Sequence, residues 1–411
     1  MDGNDADRVY VKPLDGSAAA ELRYTSALKS TPAGRHVRVT LNADGTYMSV
    51  DDEWLGTPKH LFLVNTATGA STRVGALMPG VVETYNAAFH PLEPRLVMVQ
   101  GQTAGTVPRD SSNFAATAFT GDAADMRTLT QIGANYSAGS YAADYFLYGR
   151  DTRYLYFNER PQAGAPLTTN LIAYDRTSGA RIPLVRFAFT PDRGFNFPGT
   201  LSPDLNRLCV WFYDPATLAF NGPSQLFSFD LGNPASVLAA GPLISGLTTC
   251  GFASDNRTMV YRAKPPGSTL LRTYSVDSLT PGASLSLAPA AETGSEQGSA
   301  TLAPHAMRIA ISFFDNDGID GNVAQAGRFY SLSLEGSGDA FLFSDTYVSE
   351  SVTSGIFNSN DDGSYVLYAR PSNGISALEL MSTHGLNLSI PLSRNSETIG
   401  VTSARWLQRF P

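Results

Sequence analysis

Apolar residues in this chain come in short unbroken runs, among them "RYLYF" at 153, "RLCVWF" at 207, "RIAISF" at 308 and "YVLYA" at 365. A strand with one wet face would alternate apolar and polar positions, so runs apolar at nearly every position predict strands covered on both faces. Each run follows a strand end and a polar turn, as in "TLSPDLNRLCVWF" at 200. Relatives of that stretch are "TLNADGTYMSV" at 40, "AFHPLEPRLVMV" at 88, "FLYGRDTRYLYF" at 146, "GFASDNRTMVYR" at 251, "TLAPHAMRIAISF" at 301 and "IFNSNDDGSYVLYA" at 356. A third strand follows, such as "HLFLVNTATG" at 60, "NLIAYDRTSG" at 170 or "ALELMSTHG" at 377, and then a weaker fourth, such as "STRVGAL" or "ARIPLV". Gly at the end of T-A-T-G, R-T-S-G and S-T-H-G supplies the positive φ that a tight turn needs.

The repeating unit is therefore four antiparallel strands, with anchors near 41, 89, 147, 201, 252, 302 and 357. A repeat of roughly 50 residues with doubly covered strands predicts the radially packed sheets of a propeller rather than a β-helix or a sandwich. The C-terminal "VTSARWLQRF" resembles the first strand of a further unit, "VTSGIF" at 352. The N-terminal "RVYVKPLDGSAAAELRYTS" reads as a third strand, a D-G turn and a fourth strand. These ends complement each other, which predicts one all-β domain over 1–411: an eight-bladed β-propeller of four-stranded antiparallel blades. Its last blade is split between 401–411 and 8–27, leaving no open sheet edge. The others start near 37, 85, 143, 196, 247, 297 and 352, and seven blades is the alternative.

The strand, "SPDG"-type turn and strand followed by an "LYVYDxxTG"-type strand resemble the TolB-like propeller repeats of Gram-negative periplasmic proteins. The same repeat type occurs in the propeller domains of dipeptidyl peptidases and in oligogalacturonate lyases. The resemblance covers almost the whole chain and concerns the repeat type. It implies a cell-envelope protein, periplasmic or at the cell surface, lipid-anchored in its full-length form. The acidic opening "MDGNDADR" has no apolar core and reads as an initiator Met placed before a trimmed mature domain. The six blades and extra N-terminal α/β domain of TolB itself have no counterpart in the sequence.

Composition narrows the partners. The 411 residues are 43% hydrophobic and only 16% charged, with 37 Gly and 25 Pro, which suits many short strands and turns. A net charge of −8 excludes the Lys/Arg surplus that nucleic acid or an anionic membrane would require. No apolar run reaches the roughly 18 residues of a membrane span. The expected partner is a protein or a glycan, and the expected state is a monomer. Cys209 and Cys250 each fall in an apolar strand, which leaves two buried thiols or a disulfide between neighbouring sheets both open.

In a propeller the connections between strands one and two and between three and four share one face; here they are short. The longer connections lie on the opposite face, where binding on a rigid frame usually resides. They include 51–59, 100–113, 133–145, 159–169, 186–199, 214–224, 314–327 and 344–351. This places Trp54, Arg109, Tyr136, Tyr141, Arg160, Arg193, Phe195, Phe220 and Tyr347 on one rim, an aromatic and Arg composition typical of contact surfaces. In "DNDGIDGN", Asp315, Asp317, Asp320 and Asn322 offer hard oxygen ligands suited to Ca²⁺, the one candidate cofactor, although the spacing is not that of an EF-hand.

No catalytic set is legible. Among the five His, His90, His305 and His384 fall in short turns and are expected to be solvated, while His60 opens a third strand. No G-x-S-x-G elbow is present, and Asp51–Asp52 reads as a turn pair. The sequence thus favours a non-catalytic binding or scaffold propeller. The alternative is a calcium-dependent carbohydrate-active enzyme, a polysaccharide lyase or hydrolase.

Overall fold

The computed structural model describes residues 8–11, 19–26, 35–42, 44–54, 60–77, 80–90, 92–93, 95–103, 114–133, 141–148, 153–160, 168–188, 199–213, 224–234, 237–244, 247–263, 270–275, 296–303, 305–314, 325–335, 340–349, 356–360, 362–372 and 375–392. Among these, all regular structure is β apart from one 3₁₀ turn at Met126–Thr128, and no helix is long and apolar enough to cross a membrane.

Strands β1 (Arg8–Val11) and β2 (Glu21–Thr25) form a two-stranded sheet. The first full sheet is β3 (Arg35–Leu41), β4 (Tyr47–Trp54), β5 (His60–Asn65) and β6 (Ser71–Arg73). The second is β7 (Val81–Phe89), β8 (Arg95–Thr103), β9 (Phe114–Asp122) and β10 (Thr130–Gln131). The third is β11 (Tyr141–Tyr148), β12 (Tyr154–Arg160), β13 (Thr168–Asp175) and β14 (Arg181–Ala188). One parallel bridge, Tyr141 to Ala116, joins the second and third into an eight-stranded sheet. The fourth is β15 (Gly199–Leu201), β16 (Arg207–Tyr213), β17 (Ser224–Asp230) and β18 (Val237–Ile244). The fifth has three described strands, β19 (Leu247–Phe252), β20 (Thr258–Ala263) and β21 (Leu270–Ser275). The sixth is β22 (Glu296–Leu302), β23 (Arg308–Phe314), β24 (Gln325–Ser333) and β25 (Ala340–Ser349). The seventh is β26 (Ile356–Ser359), β27 (Tyr365–Ser372), β28 (Ile375–Ser382) and β29 (Ser389–Pro391).

The doubly apolar second strands explain how these sheets associate. Alternation sends successive side chains to opposite faces, and each face meets a different neighbour. Leu96 and Met98 of β8 pack on Leu61, Leu63 and Val74 of the first sheet. Val97 and Val99 of the same strand pack on Leu155 and Phe157 of the third. Tyr156 and Leu171 of the third meet Leu208 and Phe229 of the fourth. Ala253 and Val260 of the fifth meet Ile309, Ile311 and Phe313 of the sixth, whose Ala310 and Phe343 meet Val366 and Tyr368 of the seventh. The two-stranded sheet occupies the place before the first: Tyr24 and Val9 cover Met48 and Val50. Among the described residues, each sheet thus packs against its neighbours in sequence.

Cys209 on β16 and Cys250 on β19 form a disulfide across the fourth–fifth seam, with Cα atoms 6.3 Å apart. Of the two readings of the cysteines, the structure selects the bridge between neighbouring sheets. The same seam carries a hydrogen bond of 2.9 Å from the Asp204 amide to Asn256 Oδ1.

The short turns repeat one hydrogen bond: the amides of Asn42, His90, Ser202, Ala253, Ala303 and Asn360 donate to the carbonyl five residues on, at 2.7–3.0 Å. Gly45 and Gly363 hold the positive φ in two of these turns, where Leu205 and Asn256 stand at φ 60 and 57 in two others. Leu205 tolerates that conformation because its side chain is 2% exposed, and its apolar burial offsets backbone strain of about 1–2 kcal/mol.

Candidate functional site

The second strands run from the short-turn end to the opposite end, so their last residues and the first residues of the third strands mark the rim expected to bind. Trp54 ends β4 opposite Arg35, Tyr141 opens β11 directly opposite Arg160 at the end of β12, and Tyr347, near the end of β25, pairs with Gly327 of β24. These four lie at or near strand ends, because the strands reach further than the sequence pattern marks: β4 takes in 51–54, and β25 runs to Ser349. Directly opposed residues lie about 4.5–5.5 Å apart at Cβ, so register alone brings positions 141 and 160 together. Arg109, Tyr136, Arg193, Phe195 and Phe220 lie outside the described residues, as do Asp315, Asp317, Asp320 and Asn322.

The sequence reading missed what sits just beneath this rim. Asp51 and Asp52 are not turn residues: both are in β4 and buried, Asp52 at 3% exposure. Counted from the start of the second strand, Asp52, Gln100 and Glu159 occupy the same position in three consecutive sheets, and all three are buried. The signal was available, since polar residues replace the apolar run at one repeat position, but only alignment of the strand starts exposes it.

Each of these groups is satisfied locally. Asp52 Oδ2 accepts from the Tyr24 hydroxyl at 2.9 Å and the Ser26 hydroxyl at 2.5 Å, tying the two-stranded sheet to the first. His60 lies opposite Asp52 in register, and Arg73 Nη2 donates to its Nδ1 at 3.0 Å. Gln100 accepts from the Leu77 amide at 2.8 Å and donates to Gly75 O at 2.7 Å, pinning the crossover between the first and second sheets. Glu159 is ion-paired with Arg181. Burial of a charge requires such partners. The Ser26 and Tyr24 hydroxyls thus share one carboxylate oxygen, an arrangement that holds the seam.

The short-turn end is closed differently. Asp44 Oδ1 accepts from the Thr46 amide and hydroxyl, and Asp362 Oδ1 from the Ser364 amide. Bonds from the side chains, and then the amides, of Thr46 and Ser364 hold both carboxyls below the usual range. Burial pushes Asp255 up, but bonds from Thr258 and Arg257 outweigh it and the net shift is downward. Arg127 beside Asp125 brings that carboxyl down to about 2, and Arg153, at 2.8 Å, holds Asp175 far below its ordinary value. The amides of Thr66, Arg176, Leu231, Leu334 and Thr383 donate to the carbonyls of Thr46, Arg153, Asn206, Met307 and Ser364, so the two turns of a sheet brace each other. His305 and His384 are exposed as expected, whereas His90 is fully buried. That expectation fails because the His90 ring replaces a polar cap inside the turn: its Nδ1 accepts from the Leu92 and Glu93 amides, each at 3.0 Å. Among the described residues, no group of three His, Cys, Asp or Glu is placed to hold a metal ion.

No family model matches the chain, and no curated protein matches it. Solved structures do. A prolyl endopeptidase aligns with a TM-score of 0.52 at 12% identity, covering 89% of this chain and 49% of that one. Dipeptidyl peptidase 4 from Porphyromonas gingivalis aligns at 0.51 and 11% identity, covering 88% and 53%. The chain therefore spans about half the length of these two enzymes. TolB from Acinetobacter baumannii aligns at 0.37 and 14% identity, covering 85% and 77%, a score too low to add to the argument. These likenesses establish the fold alone, which is of the propeller type.

Proposed function

We propose that the chain is a non-catalytic binding or scaffold propeller of the bacterial cell envelope, recognising a protein or glycan partner through its loop-rich end. The observation that carries this reading is the asymmetry of the two ends. At the short-turn end, polar side chains and amides of the described turns bond to one another. The faces of the sheets are taken up by neighbouring sheets. The longer connections leave from the other end, where Trp54, Tyr141 and Arg160 begin or end the strands beneath them and Tyr347 stands two residues from the end of its own. The disulfide supports export to an oxidising compartment, periplasmic or at the cell surface.

The ring in this proposal has eight blades, the last shared between the N-terminal sheet and residues 401–411. Its support is a pair of apolar faces at the two ends of the array. Tyr10 and Leu22 on the N-terminal sheet are 45% and 47% exposed, on the face turned away from the first sheet. Tyr365 and Ile390 on the seventh are 37% and 53% exposed, on the face turned away from the sixth.

Affinity capture from an envelope extract tests the binding reading. Trp54→Ala and Arg160→Ala are expected to lose partners that wild type retains, with melting temperature nearly unchanged, while Arg127→Ala at the short-turn end retains them. Equal capture by all four proteins refutes the assignment of the face. The calcium reading of Asp315, Asp317, Asp320 and Asn322 belongs to the same loop-rich end. It predicts binding heat in calorimetry that disappears in Asp317→Asn, and an absence of heat in the wild type discards it.

A further inference from the structure

His90 closes the turn between β7 and β8 from inside the protein, at 0% exposure. An imidazole nitrogen that accepts a hydrogen bond carries no proton. Since Nδ1 accepts from two amides, the closed turn holds the neutral ring with its hydrogen on Nε2. A second proton can enter only at Nδ1, where it would point at two N–H donors and abolish both bonds. The corresponding turns elsewhere use caps that do not change state near neutral pH. Asn42 and Asn360 accept through side-chain amides, Ser202 through a hydroxyl, and Asp255 through a carboxylate that takes the same two amides as His90 does, those two and three residues on.

We propose that His90 is a proton-gated cap: acidification through the histidine range releases the amides of Leu92 and Glu93 and loosens the His90–Arg95 turn. The closed turn requires the neutral ring, while the opened turn takes up a proton below its ordinary value near pH 6.5. The stabilisation is therefore complete above that value and declines as the pH falls. Among the described residues, the following charged groups surround the turn. Glu93 and Arg95 pair at 3.6 Å on the hairpin itself, and Asp122 lies opposite Arg95 on β9. The third sheet, on which Ala88 of β7 packs, contributes Arg153 and Asp175, bonded to each other. Beyond β9 stand Asp125 and Arg127, also bonded. Asp125 and Asp175 are held low by these arginines, so neither gains a proton in the histidine window. The device lies at the end opposite the proposed binding rim and is independent of that reading.

Two measurements on the full chain test it. Long-range nitrogen–proton NMR reads the tautomer near pH 7.5, where the Nε2–H form is expected; an Nδ1–H or doubly protonated ring overturns the proposal. Amide exchange of Leu92 and Glu93, corrected for intrinsic rates, is then compared between about pH 7.5 and pH 5. Uptake of one proton by the open turn predicts a loss of protection of about 30-fold in wild type. His90→Asn keeps an uncharged acceptor and is expected to lose none. Unchanged protection in wild type, or an equal loss in both proteins, overturns the proposal. Should His90→Asn fail to fold, the tautomer and the wild-type exchange decide it alone.

Discussion

Opening the Cys209–Cys250 bridge is expected to weaken one seam of the protein and leave the others intact. The bridge closes a loop of 41 residues. In the chain-entropy account, a loop of that length restricts the unfolded chain by about 4 kcal/mol, close to three decades in an opening constant. That figure is a ceiling, since strain in the folded state would reduce it. Because the described residues of each sheet pack against its sequence neighbours, the loss should stay confined to the fourth and fifth. The Asp204–Asn256 bond at the same seam survives reduction and limits the opening. Amide exchange of oxidised and reduced wild type, and of Cys209→Ala/Cys250→Ala, reads this directly. Protection of β16, paired with β15 through Thr200 and Cys209, and of β19, paired with β20 through Cys250 and Tyr261, should fall by up to three decades. Reduced wild type and the double variant should agree, while β8 and β12 stay protected. A uniform loss over all sheets, or none at β16 and β19, would refute the picture of a seam staple in a chain of nearest-neighbour contacts.

Two further outcomes follow from the buried and capping carboxylates. Tyr24→Phe removes one of two hydroxyls donated to Asp52 and should cost about 1 kcal/mol, whereas Asp52→Ala strands both hydroxyls and should cost about 2–3 kcal/mol. Their double variant should cost less than the sum of the two, and strict additivity in denaturant unfolding would show that they are not coupled. Asp44, Asp125, Asp255 and Asp362 have lowered values, Asp125 about 2, so their stabilisation is present above the ordinary 3.8 and is lost as pH falls through the lowered values. Asp362→Asn, which keeps an acceptor but cannot titrate, should lose less stability between pH 4 and pH 2 by circular dichroism, and an unchanged acid dependence would argue against the capping role.

Much of the architecture was legible because a repeat shows itself in one dimension. The turn "SPDLN" and the strand "RLCVWF" had six relatives, and the structure puts paired strands on both sides of the turn position at each of them. The nine rim residues were harder. Trp54, Tyr141, Arg160 and Tyr347 extend strands that the pattern had ended early, since cross-strand pairing continues while a partner strand is present, whatever the side-chain polarity. Asp51–Asp52 and His90 were misjudged for a common reason. Each looks like a polar turn residue when its partners are unknown; Asp52 is buried where Tyr24 and Ser26 bond it, and His90 where the Leu92 and Glu93 amides do.

The sequence by itself determined the repeating strand–turn–strand unit, its roughly 50-residue period and the need for cover on both faces of each second strand, because hydrophobic alternation and turn chemistry act over a few residues. Only the tertiary structure decided which sheet covers which, that Cys209 meets Cys250, and that Asp52 and His90 are interior groups. Those outcomes depend on atoms that are distant along the chain or bound to the backbone, and no local pattern of residue types encodes where such partners will stand.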